Sequence, residues 1–270
     1  MLCAPTHLQP QRVIMPPTAY PHINQFLQTV LTELQGVLGA KLAGLYLYGS
    51  LVWGDYDDGV SDADLLAAIT NDLSETEFAA LEAMHHALIA RYPEWNDRLE
   101  IVYLSLEGLK TFREKRSPIA VISPGEPFNL KDAGADWLMN WYMVLTKGVT
   151  LYGAPPAAII DPIPTAEFVE AVKDHARLWP TWISDEDSRG FQSYSILTLC
   201  RAWYTCKHGE QVSKATAAAW AARQLPAYAA LIERALDWRR RNNEPNIDHA
   251  ATVPEVRAFV LMMCGLIETC

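Results

Sequence analysis

Apolar residues change their spacing several times along this chain, and each change marks an element. From Ile23 to Leu42 they recur at helical spacing, which predicts an amphipathic helix with one buried face. A continuous apolar run from Leu45 to Tyr48 then predicts a buried strand that stops at Gly49. A second strand is expected through Asp62-Ala-Asp64-Leu-Leu and a third from Arg98 to Leu104. Between them, Ser74-Glu-Thr-Glu77 has the form of a capping box and opens a helix expected to reach about Arg91. Pro118 to Leu130, with Pro124-Gly125 and Pro127, breaks both periods and reads as a loop, after which Asp136 to Lys147 returns to helical spacing.

Gly153-Ala-Pro-Pro156 and Asp161-Pro-Ile-Pro164 form the natural boundary, and beyond it almost every segment has a helical period. Helices are expected at Ala166 to Trp179, Gln192 to Lys207, Lys214 to Gln224, Tyr228 to Arg241 and Pro254 to the C-terminus. The fold class is therefore α/β followed by all-α. It comprises a flexible proline-rich leader over 1–21, a mixed-sheet domain over 22–153 and a helical bundle over 154–270.

Composition narrows the function classes. Of the 270 residues, 50% are hydrophobic and 20% charged, enough apolar material for two cores. No apolar run approaches the roughly 18 to 20 residues of a membrane span, and no signal-peptide pattern opens the chain, so a cytoplasmic protein with no membrane partner is expected. Five cysteines without C-x-x-C spacing argue against a disulfide framework or a zinc site. The net charge of −10 disfavours nucleic acid and would attract a cationic small molecule.

The candidate chemistry lies between residues 45 and 66. Gly49 lacks a Cβ, so backbone N–H groups and the Ser50 hydroxyl can approach a phosphate. Ten residues later, Ser61-Asp62-Ala63-Asp64 sets two carboxylates at strand period on one face, where they can share a divalent ion such as Mg2+. Glu100 falls in the middle of the apolar strand Leu99-Glu-Ile-Val-Tyr103, where a lone carboxylate is costly. It is expected to act as a third metal ligand or as the base that takes a proton from an acceptor hydroxyl; the structural alternative is a salt bridge to Arg98 or Arg113. Trp137, Trp141, Trp203 and Trp220 read as core, His85, His86 and His175 lack metal spacing, and His208 before Gly209 reads as a helix C-cap.

The Gly-Ser and Ser-Asp-x-Asp-Leu-Leu blocks together resemble the signature of the nucleotidyltransferase superfamily. The second half, Leu197-Thr-Leu-Cys-Arg201-Ala-Trp-Tyr204, then Ser213-Lys214, Ala217-Ala-Ala-Trp220 and Leu225-Pro226, resembles the helical domain of streptomycin/spectinomycin 3''-adenylyltransferases. That resemblance implies transfer of AMP from the co-substrate ATP to a hydroxyl of a cationic acceptor, with both ligands between the two domains of a monomer. It implies magnesium carboxylates at Asp62 and Asp64, a base at Glu100, ATP contacts at Gly49, Ser50, Ser61, Arg201 and Lys214, and a further cleft position at Asp136. For the acceptor it implies a Trp and an Asp, for which Trp179 or Trp182 and Asp185 or Asp187 are available, Trp182 and Asp187 being preferred, together with Tyr194. Where the family has Asp-Glu-Arg-Asn or Asp-Glu-Arg-His, this chain has Phe191-Gln192-Ser193-Tyr194, which removes two polar drug contacts. The alternatives are a nucleotidyltransferase for another hydroxylated metabolite or protein, and a non-catalytic, antitoxin-like nucleotide-binding module.

Overall fold

The computed structural model describes residues 16–241 and 248–270. Residues 1–15 of the expected leader lie outside the described residues. The end of that leader is structured: Thr18 donates to Asn24 Oδ1 from its N–H (2.9 Å) and its hydroxyl (2.8 Å), and helix α1 (Pro21–Leu38) follows directly. The helix stops four residues short of Leu42 because Gly39 takes a positive φ of 52°, and Leu42 already belongs to the first strand.

In chain order the α/β half continues with β1 (Leu42–Tyr48), the single turn α2 (Ser50–Trp53), β2 (Ala63–Ile69), α3 (Glu75–Arg91), β3 (Leu99–Ser105), α4 (Leu106–Thr111), β4 (Ser117–Ser123), β5 (Glu126–Ala133), α5 (Leu138–Lys147) and β6 (Val149–Gly153). The helical half comprises α6 (Thr165–Trp182), α7 (Arg189–His208), α8 (Lys214–Gln224), α9 (Ala229–Arg240) and α10 (Val253–Glu268). The capping box opens α3 as expected, with Glu77 N–H on Ser74 Oγ and Ser74 N–H on Glu77 Oε2. Gly209 caps α7 in the left-handed region.

Three strands were not expected. The segment from Pro118 to Leu130 is a hairpin, β4 and β5, and Pro124-Gly125 is its turn. The prolines are tolerated because Pro127 lies in the outermost strand and Pro118 lies beyond the stretch of β4 that pairs with β3. Val149–Gly153, which runs into the expected boundary at Gly153, pairs with β1 at the other edge. The sheet order is β5-β4-β3-β2-β1-β6, with β2 and β3 parallel and every other neighbouring pair antiparallel.

Strand alternation sorts side chains onto two faces. Leu45, Leu47, Leu65, Ala67, Ile101 and Tyr103 pack with α1 and α3. Tyr46, Tyr48, Leu66, Ala68, Val102 and Leu104 form one core with residues of α5 through α10. Helix α10 contradicts the expectation from hydropathy: the Ala250–Glu268 segment is long and apolar enough to cross a membrane by length and composition. It packs one face on the rest of the helical half, burying Val256, Phe259, Val260, Met263 and Ile267 against α6 and α7.

Candidate active site

The carboxylates arise from strand register. Tyr48 pairs with Asp64 across the antiparallel β1/β2 ladder, and Asp64 pairs with Glu100 across the parallel β2/β3 ladder, so the three form a row over three strands. All lie in phase with Leu66 and Val102 and face the helical half. Asp62, two residues before Asp64, continues that face just ahead of β2. Tyr48 Oη donates to Glu100 Oε1 at 2.8 Å.

Gly49 ends β1 at φ +72°, and a Cβ on it would lie 1.8 Å from Asp64 Oδ2. The backbone therefore passes against the carboxylate where any side chain would collide, and Ser50 opens α2 on the cleft side of that turn.

The facing wall comes from the helical half. Arg201 on α7, Lys214 at the first position of α8 and Arg239 near the end of α9 line the same cleft as Asp62, Asp64 and Glu100, a cavity of about 510 Å³. Lys214 Nζ stands 4.3 Å from the centroid of the Tyr194 ring. Its backbone N–H donates to Asp55 Oδ2 at 2.8 Å, joining the start of α8 to the loop after α2.

Burial and neighbouring charge shift the ionisable groups of the cleft away from their ordinary values. Burial raises the Asp64 carboxyl well above its ordinary range, and the neighbouring Glu100 and Asp62 carboxylates raise it further. Burial also raises Asp62, with Lys214, Arg98 and Arg239 opposing, and raises Glu100, with the Tyr48 hydroxyl opposing. Lys214 is pushed down to about 7, first by burial and then by Arg201 and Arg239. Carboxylates that resist ionising and an ammonium that resists protonation, held in one cleft, fit a cation on one side and an anion on the other.

Among the described residues no group of three His, Cys, Asp or Glu side chains is gathered to hold a metal ion. Of the three carboxylates expected as ligands, Asp64 and Glu100 are neighbours in register, and Glu100 has one oxygen, Oε1, bonded to Tyr48. Magnesium shared with a nucleotide's phosphates needs only one or two protein carboxylates. Asp62 and Asp64 fit that requirement: both are desolvated, and no protein donor bonds either carboxylate among the described residues. Neither Arg98 nor Arg113 pairs with Glu100; Arg98 donates to Ser61 O and Arg113 to Glu167.

Other expected positions separate. Gly49, Ser50, Ser61, Arg201, Lys214 and Tyr194 line the cleft. Asp136 does not: it sits outside, ion-paired to Arg116 at 2.9 Å and accepting from Gly134 N–H. Trp182 is exposed, stacked edge-on to His175 and Trp179, and Asp187 folds back on Ser184 N–H and hydroxyl, so neither lines the cleft. Trp179 is buried and Asp185 pairs with Arg257. Gln192 and Ser193 are spent internally, on Asp187 O, His249 O, Thr252 and Ala235 O. Sequence reasoning missed Arg239, His175, Asp55 and Tyr48; the only local signal was the Arg239-Arg240-Arg241 run, which reads as a helix end.

A mixed sheet that presents adjacent carboxylates beside a Gly-Ser turn, closed over by a cationic helical wall, belongs to a nucleotidyltransferase enzyme. Residues 158–265 match the family model described as aminoglycoside adenylyltransferase, C-terminal domain. An aminoglycoside (3'') (9) adenylyltransferase of Klebsiella pneumoniae is 29% identical over 229 residues, covering 74% of this chain and 80% of that protein. A spectinomycin 9-adenylyltransferase of Staphylococcus aureus is 25% identical over 257 residues, covering 91% of this chain and 95% of that protein. Among solved structures, spectinomycin adenyltransferase AAD(9) from Enterococcus faecialis with ATP and spectinomycin shares the fold at a TM-score of 0.70 and 19% identity, over 90% of this chain and 98% of that one. Over most of its length this chain is thus similar to aminoglycoside and spectinomycin adenylyltransferases, and it shares the fold of one of them.

Proposed function

We propose that this enzyme is a cytoplasmic monomer that transfers AMP from ATP to a hydroxyl of an aminoglycoside or aminocyclitol antibiotic, releasing pyrophosphate and thereby conferring resistance. The observation that carries the reading is the placement of Asp64 beside Glu100 on the sheet face opposite Arg201 and Lys214. The activities of similar proteins, an aminoglycoside (3'') (9) adenylyltransferase and a spectinomycin 9-adenylyltransferase, support it.

Asp62 and Asp64 would hold magnesium, which neutralises triphosphate charge and orients the α-phosphorus when bound. The chain's own groups supply the rest. The backbone at Gly49 and the Ser50 hydroxyl orient phosphate oxygens, and Arg201 and Lys214 meet them from the helical side as charge-assisted donors. Glu100 accepts the acceptor's hydroxyl proton; burial has moved its pKa upward, toward the range where a carboxylate is an effective base. Tyr48, bonded to Oε1, fixes the carboxylate plane and leaves Oε2 for the incoming hydroxyl.

The test is magnesium-dependent pyrophosphate release from ATP by the purified protein with streptomycin or spectinomycin, with Asp64→Asn as control. Release with one of these drugs, abolished in Asp64→Asn, supports the proposal. ATP binding without release for any member of an aminoglycoside panel overturns its acceptor half. One observation favours a second reading, a different hydroxylated acceptor: Trp182 and Asp187 lie outside the cleft, and the polar groups of Gln192 and of Ser193, which lines it, are spent on internal bonds.

A further inference from the structure

The loop between α2 and β2 is held from both halves of the molecule. On its own side, the Arg98 guanidinium donates to Ser61 O from Nε (3.1 Å) and Nη2 (2.7 Å). Inside the loop, Asp57 N–H donates to Ser61 Oγ at 3.0 Å, and Ser61 N–H and Val60 N–H donate to Asp57 O at 2.8 and 3.1 Å. From the helical half, Arg239 of α9 donates from Nη2 to Ser61 Oγ at 3.0 Å and places Nε 3.1 Å from Asp57 Oδ2. Ser61 is buried, and the residue after it is Asp62. A neighbouring tie, Lys214 N–H to Asp55 Oδ2, crosses the same seam.

We propose that Arg239 is a positioning residue that couples seating of the helical half to the placement of the Asp62 carboxylate, acting through Asp57 and Ser61. The Arg239 Nη2 hydrogen-bonds the Ser61 hydroxyl while its Nε faces the Asp57 carboxylate as an ion pair without hydrogen-bond geometry, an arrangement that the planar guanidinium holds and a single ammonium does not reproduce. The Arg239 side chain is 16% exposed, so the grip operates largely shielded from water. Arg240 also approaches Asp57, at 3.8 Å, but its side chain is 66% exposed and it makes no contact with Ser61. The consequence is that Arg239 fixes the loop that carries Asp62 while Arg201 and Lys214 line the nucleotide side of the cleft, so losing Arg239 impairs turnover more than ATP binding. This inference rests on the proposed adenylyl transfer for its kinetic arm alone.

The experiment compares wild type with Arg239→Gln, Arg239→Lys, Asp57→Asn and the double variant Arg239→Gln/Asp57→Asn. Hydrogen exchange is followed at the Asp57, Val60 and Ser61 amides. In parallel, kcat, KM for ATP and the Mg2+ concentration for half-maximal pyrophosphate release are measured. In Arg239→Gln, exchange at these amides is expected to speed up at least about tenfold while that of β2 and β3 stays unchanged. The half-activating Mg2+ concentration is expected to rise and kcat to fall, each in the 10- to 100-fold range typical of groups that orient a ligand carboxylate, with KM for ATP nearly constant. Arg239→Lys should restore little, and the double variant should be no worse than the worse single one, because both remove one contact.

Unchanged loop exchange in Arg239→Gln overturns the proposal, as does a loss confined to KM for ATP, or losses that add in the double variant. If Arg239→Gln does not fold, Asp57→Asn reads the same contact from the other side under the same criteria. If wild type turns over no acceptor, the adenylyl-transfer reading fails and the exchange measurement alone decides the role of Arg239.

Discussion

Gly49 shows how little room the site leaves for substitution. Its φ of +72° disfavours any side chain, and the added Cβ would fall on the Asp64 carboxylate. Gly49→Ala is expected to lower pyrophosphate release by about a hundredfold, the cost of a displacement near 1 Å at a reacting centre, while far-UV circular dichroism stays that of wild type. Lys214 makes a pH dependence testable. Burial and the neighbouring Arg201 and Arg239 push its pKa down to about 7, so the ammonium is present below that pH and is lost above it. If Lys214 meets ATP as proposed, affinity for ATP is expected to decline as pH rises above about 7, and the decline should vanish in Lys214→Arg, whose charge persists. Calorimetric titration of ATP across pH checks both, and an alkaline decline that survives in the Arg variant would assign it to another group.

Helix α3 illustrates stability set within a single element. Its capping box is reinforced by Lys41, whose ammonium lies 2.6 Å from Glu77 Oε2. Ser74→Ala is expected to cost about 0.5–2 kcal/mol of unfolding free energy, measurable by urea denaturation. Glu77 is held down at about 2, first by the Lys41 contact and then by Ser74. A depressed carboxylate contributes stability above its unfolded pKa and loses it as pH falls through the folded one. The Ser74→Ala cost should therefore shrink between about pH 4.5 and 2, the two ends of that shift.

The two halves of the molecule share one apolar core. Tyr46, Leu66, Val102 and Val121 of the sheet are continuous with Trp141 of α5, Phe168 of α6, Leu197 of α7 and Phe259 of α10. Cutting the chain at residue 153 would uncover the part of that sheet face and of α5 that α6 through α10 cover. The intact protein is therefore expected to unfold in one cooperative calorimetric transition, despite the change of architecture at Gly153. Two resolved transitions would show that the halves fold independently. ATP with magnesium at a hundredfold excess over its dissociation constant should add about 2.7 kcal/mol to stability through selective binding to the folded form.

What the sequence determined was local in origin. Apolar period placed α3, β1, β3 and the five helices after the boundary, Ser74 and Glu77 wrote their own cap, and a spacing of two put Asp62 and Asp64 on one face. Resemblance over the helical half pointed to Arg201 and Lys214, which do line the cleft. The β4/β5 hairpin was hidden because edge strands tolerate the prolines and polar residues that otherwise signal a loop. Asp136, Trp182 and Asp187 were drawn toward the site by pattern, yet each has a neighbour that takes it elsewhere: Arg116, Trp179 and Ser184. Only the tertiary structure brought Lys214 to Asp55 and Arg239 to Ser61, across 159 and 178 residues of sequence. Periodicity and caps report the forces within one element, whereas such contacts come from the burial of a shared core that docks one half on the other.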